Sequence, residues 1–420
     1  MHESLDNPFD YSASRHAYSR TRDYLFAQLI PYIGSKRKLL PLIARAIRRT
    51  GVSATGQERP PVFGDLFAGS GVVSRMAKML GLRVVANDWE PYSAAINGAF
   101  IAQNSPPVDN SVFDELNHLE PIDGFISANY CPVNDDDPDP TRERLYYTRA
   151  NGRRIDAIRC KILEWEEAGQ ITHDQQRYLL APLLSAACYV SNTSGVFKAF
   201  HNGWGGNTAT ALYRILSDLT MSAPPLLDNG CKNIVTQLDA LTVARNFCDI
   251  AEAPCDIVYL DPPYNQHPYG SNYHLLNTIA LYDKPEVPDI DIGKSAIRTD
   301  WRSLRRSAFN NRGNALSELL KIVDAISCPW LLLSYSTDGN IPTDVLLESL
   351  AQRGSLTVEP YRYKRYRVSS QRMSERSHNV EFVLILNRNS PSAPETAEIC
   401  RREIDGAETA GLLTLPFETE

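Results

Sequence analysis

The chain is poor in cysteine: eight are scattered over 420 residues, and no two are spaced as a CxxC pair. This distribution excludes the disulfide framework of a small secreted domain and the ligand spacing of a zinc site. Reduced thiols are therefore expected, in a cytoplasmic protein that binds no metal.

Long apolar runs are also lacking, because no stretch approaches the length of a membrane span and the N-terminus has no signal-peptide pattern. Basic residues do not dominate either, since 43 lysines and arginines face 50 acidic residues, a net charge of -7. That sum argues only weakly against a nucleic-acid partner, because binding requires one basic face and not a basic chain.

Short apolar runs alternate with helical patterns early in the chain. A strand is predicted at 62–67, a helix at 72–80 and a second strand at 83–88. Strand, helix and strand in this order form the first unit of a doubly wound parallel sheet. The sequence therefore predicts an α/β, Rossmann-like fold. Further strands are predicted at 256–260, 330–335 and 380–386.

The strand pattern is interrupted by residues 98–232, which we predict to form an inserted, mainly helical domain. The α/β domain would then be built from residues 23–97 and 233–390. Residues 1–22 are polar and aperiodic, which predicts a flexible arm. Residues 391–420 are rich in Pro, Glu and Ala, which predicts a disordered tail.

A glycine-rich turn, Phe67-Ala68-Gly69-Ser70-Gly71, separates the first strand from the first helix. Glycines there let the backbone pass close to a ligand at a helix N-terminus. Asp88 ends the next strand, 19 residues after Gly69, where a carboxylate binds ribose hydroxyls. The dinucleotide pattern fails at its third glycine, so a nucleoside ligand without pyrophosphate, such as S-adenosylmethionine, fits better. A plain tight turn is the alternative.

Two other segments are candidates for ligand contacts. Asp239 follows an apolar run and can reach an adenine amine by the same geometry, or it can cap the helix that follows. Residues 31–38 place three cations at a helix start, where the dipole favours negative charge. Their presence indicates an anionic partner, a ligand carboxylate or DNA phosphate, with solvated lysines as the alternative.

The tetrapeptide Asp261-Pro262-Pro263-Tyr264 follows a run typical of a buried strand. Its carboxylate can accept a hydrogen bond from a planar amine. A carbonyl of the Pro-Pro segment can accept a second, because proline offers an acceptor and no competing donor. The tyrosine ring can stack on the base that carries the amine. A turn at the end of a strand is the alternative.

Taken in order, Pro31-Tyr32-Ile33-Gly34-Ser35-Lys36, the glycine-rich turn, Asp88, the long insert and Asp261-Pro262-Pro263-Tyr264 resemble the adenine-specific DNA methyltransferases of the Dam-like class. The resemblance covers residues 24–388. Asp-Pro-Pro-Tyr also occurs in some RNA methyltransferases, whereas the Tyr-x-Gly-Ser-Lys motif is more specific to the DNA enzymes.

The resemblance implies methyl transfer from S-adenosylmethionine to N6 of an adenine flipped out of duplex DNA. It implies a restriction–modification context, with a paired endonuclease, or a solitary epigenetic enzyme. RNA amino-group methylation and an inactive DNA-binding module are the alternatives. The implied cofactor contacts are Tyr32, Gly34, Ser35, Lys36, Phe67, Gly69, Gly71, Asp88 and, less securely, Asp239, since Leu238 stands where glycine is usual. The implied adenine contacts are Asp261, Pro262, Pro263 and Tyr264.

Two stretches concentrate basic residues. Around residues 361–376, tyrosines alternate with cations, which suits phosphate contacts from a hairpin, with a charged edge strand as the alternative. The cations proposed from it are Lys364, Arg365, Arg367 and Arg372. The other stretch lies in the insert and consists of Arg142, Arg144, Arg149, Arg153, Arg154, Arg159 and Lys161.

The resemblance assigns no DNA contacts within the insert. Segments 192–198 and 201–207 carry amides, hydroxyls, Lys198 and His201 on a glycine-rich backbone. Such groups can read base edges in the major groove, and ordinary loop polarity is the alternative.

Overall fold

The computed structural model describes residues 22–206, 209–264, 268–298, 300–301, 305, 307–364 and 378–409. The predicted arm, apart from residue 22, lies outside the described residues. So do Arg365, Arg367 and Arg372, and the side chain of Lys364.

A sheet crosses the described part of the chain. Its strands are β1 (Val62–Asp65), β2 (Arg83–Asn87), β3 (Ile234–Thr236), β4 (Ile257–Leu260), β5 (Trp330–Ser336), β6 (Ser355–Lys364) and β7 (His378–Asn387). Their order is β3-β2-β1-β4-β5-β7-β6. Strands β1 to β5 pair in parallel, and β7 is antiparallel to both β5 and β6. The predicted Rossmann-like α/β fold is confirmed.

The central strands are apolar on both faces because helices cover both faces of the sheet. In β4, Val258 and Leu260 pack into one core while Ile257 and Tyr259 pack into the other. This alternation follows from the two-residue period of a strand. One face is covered by Leu40–Arg49 and Val72–Met79, and the other by Ala240–Arg245, Phe247–Ala251, Ala315–Ala325, Thr343–Ala351 and Thr396–Thr409.

A third core belongs to a helical layer that includes much of the predicted insert. Helix His274–Leu281, which follows β4 in the chain, buries Leu275, Leu276 and Ile279 in the same core. The helical layer therefore extends beyond residues 98–232, and the domain boundaries stay a prediction. Its helices are Pro91–Asn97, the π-helix Gly98–Ala102, Ser111–Asn117, Phe125–Tyr130, Arg149–Glu167, His173–Tyr189, Leu212–Ile215, Tyr269–Asn272 and His274–Leu281.

The prediction of disorder from residue 391 onward is wrong for Thr396–Thr409, which is helical. Cys400 and Ile404, one helical turn apart, are buried in the core beside β6. The composition suggested disorder, but two apolar residues on one helix face are enough to dock this segment. Residues 410–420 lie outside the described residues. No helix in the described part of the chain is both long and apolar enough to cross a membrane.

Candidate active site

A cavity of about 240 Å³ opens at the carboxyl ends of the parallel strands. It lies beside β1, where the strand order reverses and doubly wound sheets bind ligands. The turns after β1, β2, β3 and β4 contribute Phe67, Asp88, Asp239 and Asp261, and Tyr32 joins them from the N-terminal segment. Residues predicted from separate motifs therefore share one cavity.

The turn after β1 depends on its glycines. Gly69 and Gly71 have φ angles of 52° and 78°, in the left-handed region. A Cβ on Gly71 would lie 2.3 Å from Asn97 Oδ1, and one on Gly69 would lie 2.8 Å from the ring of Tyr32. The backbone of this turn thus packs so closely against Asn97 and Tyr32 that neither position has room for a Cβ atom.

Both carboxylate oxygens of Asp88 accept hydrogen bonds from backbone amides. Gly69 N donates to Oδ2 at 2.7 Å, and Glu90 N donates to Oδ1 at 2.9 Å. Burial raises the pKa of Asp88, and these backbone donors oppose the rise. Each oxygen keeps a lone pair, so the carboxylate can still accept bonds from ligand hydroxyls.

Asp239 makes the helix cap that the sequence offered as one of two alternatives. Its Oδ1 accepts hydrogen bonds from Leu241 N and Thr242 N, at 3.0 and 3.3 Å, and so caps helix Ala240–Arg245. The same residue lines the cavity. The cap is an observed contact, and its cofactor contact stays a prediction.

The segment around Tyr32 leads into a short 3-10 helix, Lys36–Leu39, which Ser35 caps. Gly34 has a φ of 74°. Lys36 is only 4% exposed, so it is not the solvated lysine of the alternative interpretation. Tyr32 stacks against Tyr269 and Tyr273, with ring centroids 5.2 and 5.3 Å apart.

Lys36 and Asp261 form a buried ion pair, with 2.9 Å between Nζ and Oδ2. Lys36 Nζ also donates to Gly34 O at 3.0 Å. Burial favours neutral Lys36, but Asp261, Tyr264 and Glu381 outweigh it and raise the lysine pKa. Burial raises the pKa of Asp261, and Lys36 opposes that rise. Oδ1 of Asp261 is buried and accepts no hydrogen bond from the described residues.

Tyr264 is held on several sides. Its hydroxyl lies 3.3 Å from Glu381 Oε1, and its ring meets Tyr335 edge-on with centroids 5.7 Å apart. Lys36 Nζ lies 5.2 Å from the ring centroid. Of the two prolines of the motif, Pro262 is buried and Pro263 lines the cavity.

Several cavity residues carry no sequence motif and were not predicted. Burial, reinforced by the charge of Asp88, raises the pKa of Glu90 to about 7. Phe309 meets Phe67 edge-on, 5.5 Å between centroids, and closes an apolar end of the cavity. Arg305 donates to Trp89 O at 3.1 Å. Only Glu90, two residues after Asp88, had a signal in the sequence.

The basic stretch of the insert is engaged mainly in internal contacts. Arg144 and Arg159 are buried and donate to backbone carbonyls of residues 279–294. The buried members of this stretch are therefore not available as cations for DNA. Four of the others pair within the helical layer: Arg149 and Arg153 with Asp123, Arg154 with Leu219 O, and Lys161 with Glu164. Arg142 is exposed and lies 3.9 Å from Asp139.

The polar loop of the insert divides into structural and exposed residues. Asn192 is buried, donates to Leu145 O and Gly203 O, and accepts from Gly205 N. It holds the loop and has no edge free for a base. Lys198 is exposed, and the His201 ring lies 3.3 Å from Ser194 Oγ. Base contacts by Lys198 and His201 stay a prediction.

The known proteins that are similar to this chain are described as methyltransferases. The model of the D12 class N6 adenine-specific DNA methyltransferases matches residues 32–299. The chain is 31% identical over 361 residues to the Type II methyltransferase M.NlaIII of Neisseria lactamica, covering 85% of this chain and 99% of that protein.

Two further relatives differ in length. The modification methylase LlaI of Lactococcus lactis subsp. lactis is 31% identical over 369 residues, which span 84% of this chain and 54% of that protein. The Type II methyltransferase M.CviAII of Paramecium bursaria Chlorella virus 1 is 29% identical over 344 residues, 80% of this chain and 93% of that protein. The chain thus spans about half of LlaI and nearly all of M.CviAII.

Proposed function

Because this chain belongs to the D12 class of N6 adenine-specific DNA methyltransferases, we propose that Asp261, Pro262 and Tyr264 hold the adenine that it methylates. One observation carries this proposal: Oδ1 of Asp261 is a buried acceptor with no hydrogen-bond partner among the described residues. Asp261 lines the cavity that Asp88 and Phe67 also line. A buried carboxylate oxygen without a donor is costly unless a ligand completes it.

The amino group of adenine is a poor nucleophile because its lone pair is delocalised into the ring. Asp261 Oδ1 would accept a hydrogen bond from one N6–H group, and the Pro262 carbonyl oxygen would accept one from the other. These two hydrogen bonds direct the lone pair out of the ring plane. Lys36, with its Nζ 2.9 Å from Oδ2, favours the ionised form of Asp261. The N6–C bond would form as the carbon–sulfur bond of the methyl donor breaks, which leaves a neutral thioether. N6 would then be more acidic, and its proton can pass to Asp261. Positioning and electrostatics carry the reaction.

The methyl donor proposed for this cavity is S-adenosylmethionine, which supplies an electrophilic methyl group on a sulfonium. Asp88 retains lone pairs for two ribose hydroxyls, and the left-handed glycines shape the turn that brings Gly69 N to this carboxylate. Leu238, Leu241 and Phe309 give an apolar end of the cavity for the adenine ring of the donor. Charged, polar and apolar groups are therefore all present for this ligand.

Duplex DNA is the proposed substrate, and its target adenine must leave the helix, which costs a few kcal/mol. Stacking on Tyr264 would return about 1–3 kcal/mol. Contacts are proposed from the helical layer at Lys198 and His201, and from the β6–β7 hairpin at Lys364. The relatives named as modification methylases support a restriction–modification context with a companion endonuclease.

Expression in a host without DNA methylation tests this function, with N6-methyladenine mapped by single-molecule sequencing. We expect methylation at one short sequence in cells with the wild-type chain and none with Asp261→Ala. Cofactor binding by the purified variant shows that it is folded. Unmethylated genomic DNA alongside methylated RNA would contradict the proposal.

A further inference from the structure

Glu381 is a half-buried residue outside the motifs and outside the lining of the cavity. It lies on β7, opposite Ser336 of β5 and Tyr361 of β6. Its Oε1 lies 3.3 Å from the hydroxyl of Tyr264, and its Oε2 is buried without a partner among the described residues. Burial raises the pKa of this carboxyl, and Lys36 opposes the rise. A carboxylate oxygen buried without a hydrogen-bond donor lowers the stability of the fold, and such a cost is typical of a residue that serves a function.

The contacts around Tyr264 indicate what Glu381 does. Tyr335 contacts the ring edge-on, and Lys36 lies 5.2 Å from its centroid. Those two contacts restrain the ring body, whereas Glu381 holds its far end at the hydroxyl. Strand β5, through Tyr335, and strand β7, through Glu381 117 residues downstream, thus both contact the tyrosine of the motif.

We propose that Glu381 is a positioning residue that fixes the ring of Tyr264 in the orientation needed to stack on the target adenine. The inference rests on the proposed function of Tyr264 and deepens it. Because Glu381 belongs to the β6–β7 hairpin, the same contact ties that hairpin to the site of methyl transfer. The stretch predicted from the sequence to meet phosphates, residues 361–376, begins in β6.

The Tyr264 hydroxyl and the Glu381 carboxylate can be removed singly and together in a double-mutant cycle. Tyr264→Phe removes only the hydroxyl, and Glu381→Ala removes the carboxylate together with the γ-methylene. If Glu381 acts through that hydroxyl, each single variant and the double variant should lose a similar amount, since they remove the same contact. Glu381→Gln keeps an acceptor oxygen for the hydroxyl and should restore most of the loss.

The measurements are kcat and KM for duplex DNA, and the fluorescence of 2-aminopurine placed at the target position. We expect Glu381→Ala and Tyr264→Phe each to raise KM for DNA by about tenfold, because the misaligned ring stacks poorly on the base. Both should reduce the rise in 2-aminopurine fluorescence on binding. The affinity for S-adenosylmethionine should stay at the wild-type value.

A carboxylate on the neighbouring strand provides the control. Glu359 of β6 pairs with Arg45 and Arg49, away from the cavity, and Glu359→Gln should leave both readouts unchanged. Wild-type KM and fluorescence in Glu381→Ala would overturn the inference, as would losses in the double variant equal to the sum of the single losses. If Glu381→Ala does not fold, Glu381→Gln and Tyr264→Phe still decide, because an unaffected Tyr264→Phe overturns it. If the wild-type chain itself methylates no DNA, the proposed function fails and this inference fails with it.

Discussion

Asp88 and Asp261 follow strands that lie on either side of β1, yet their carboxylates meet different partners. Both oxygens of Asp88 accept backbone amides, from Gly69 and Glu90. Asp261 has one oxygen paired with the Lys36 side chain and one with no partner in the described part of the chain.

The difference separates two functions at two similar positions. Backbone donors fix Asp88 before any ligand arrives, so its spare lone pairs can bind hydroxyls without reorganisation. Asp261 keeps an unfilled acceptor, which suits a group that must be held only during the reaction. A side-chain cation favours the charged form of that acceptor, whereas burial favours its neutral form. Residue type does not distinguish the two aspartates, but their partners do.

Lys36→Met should have the largest effect, because it leaves the Asp261 carboxylate buried without its cation. Breaking one side of a buried ion pair costs about 3–5 kcal/mol, so urea unfolding should show a loss of that order. The double variant Lys36→Met, Asp261→Ala should lose less than the sum of the single losses.

The pH dependence of the same variant has a defined sign. Lys36 opposes the rise in the pKa of Asp261, so its removal raises that pKa further. The acid limb of the rate profile should therefore move to higher pH in Lys36→Met. Unchanged stability together with an unmoved acid limb would show that Lys36 is not the counter-charge of Asp261.

Gly71→Ala should have a smaller effect, confined to the side of the cavity with Asp88. Gly51 provides a matched control, because its φ of 71° is close to the 78° of Gly71 but an added Cβ would meet nothing within 4 Å. Gly51→Ala should cost about 1–2 kcal/mol from backbone strain alone. Gly71→Ala should cost more and weaken S-adenosylmethionine binding, since its Cβ would lie 2.3 Å from Asn97 Oδ1. Equal losses in both variants would contradict a tightly packed turn.

Asp239→Ala should have the smallest effect. Loss of the cap on Ala240–Arg245 should reduce the free energy of unfolding by about 1 kcal/mol, and Asp239→Asn should preserve the cap. Cofactor titrations of the two variants then isolate the predicted adenine contact. A weaker affinity in Asp239→Asn, despite an intact cap, would support that contact, and wild-type affinity in both variants would remove it.

Much of the candidate site could be predicted because its signals are local. The glycine-rich turn, Asp88 and Asp261 each follow a short apolar run, and parallel strands bring their carboxyl ends to one edge of the sheet. The strand-helix-strand pattern thus predicted the fold and the place where these residues meet.

The remaining features depend on partners that are distant in sequence. Glu381 acquires its position only through the pairing of β7 with β5. Arg159 resembles a surface cation, but its guanidinium donates to Ile279 O, 120 residues away. The helix Thr396–Thr409 docks through Cys400 and Ile404, a contact that composition cannot reveal. Local pattern therefore predicts chemistry, whereas burial and pairing decide which cations are free for DNA.

The division of function between the two aspartates is tested most directly by S-adenosylmethionine binding to Asp88→Ala and Asp261→Ala, measured by calorimetry. Loss of hydrogen bonds to a charged group costs about 1.5–3 kcal/mol, so Asp88→Ala should weaken binding by roughly 10- to 100-fold. Asp261→Ala should bind within about threefold of the wild-type Kd while transferring no methyl group to DNA. Equal loss of cofactor affinity in the two variants, or methyl transfer by Asp261→Ala, would contradict the account.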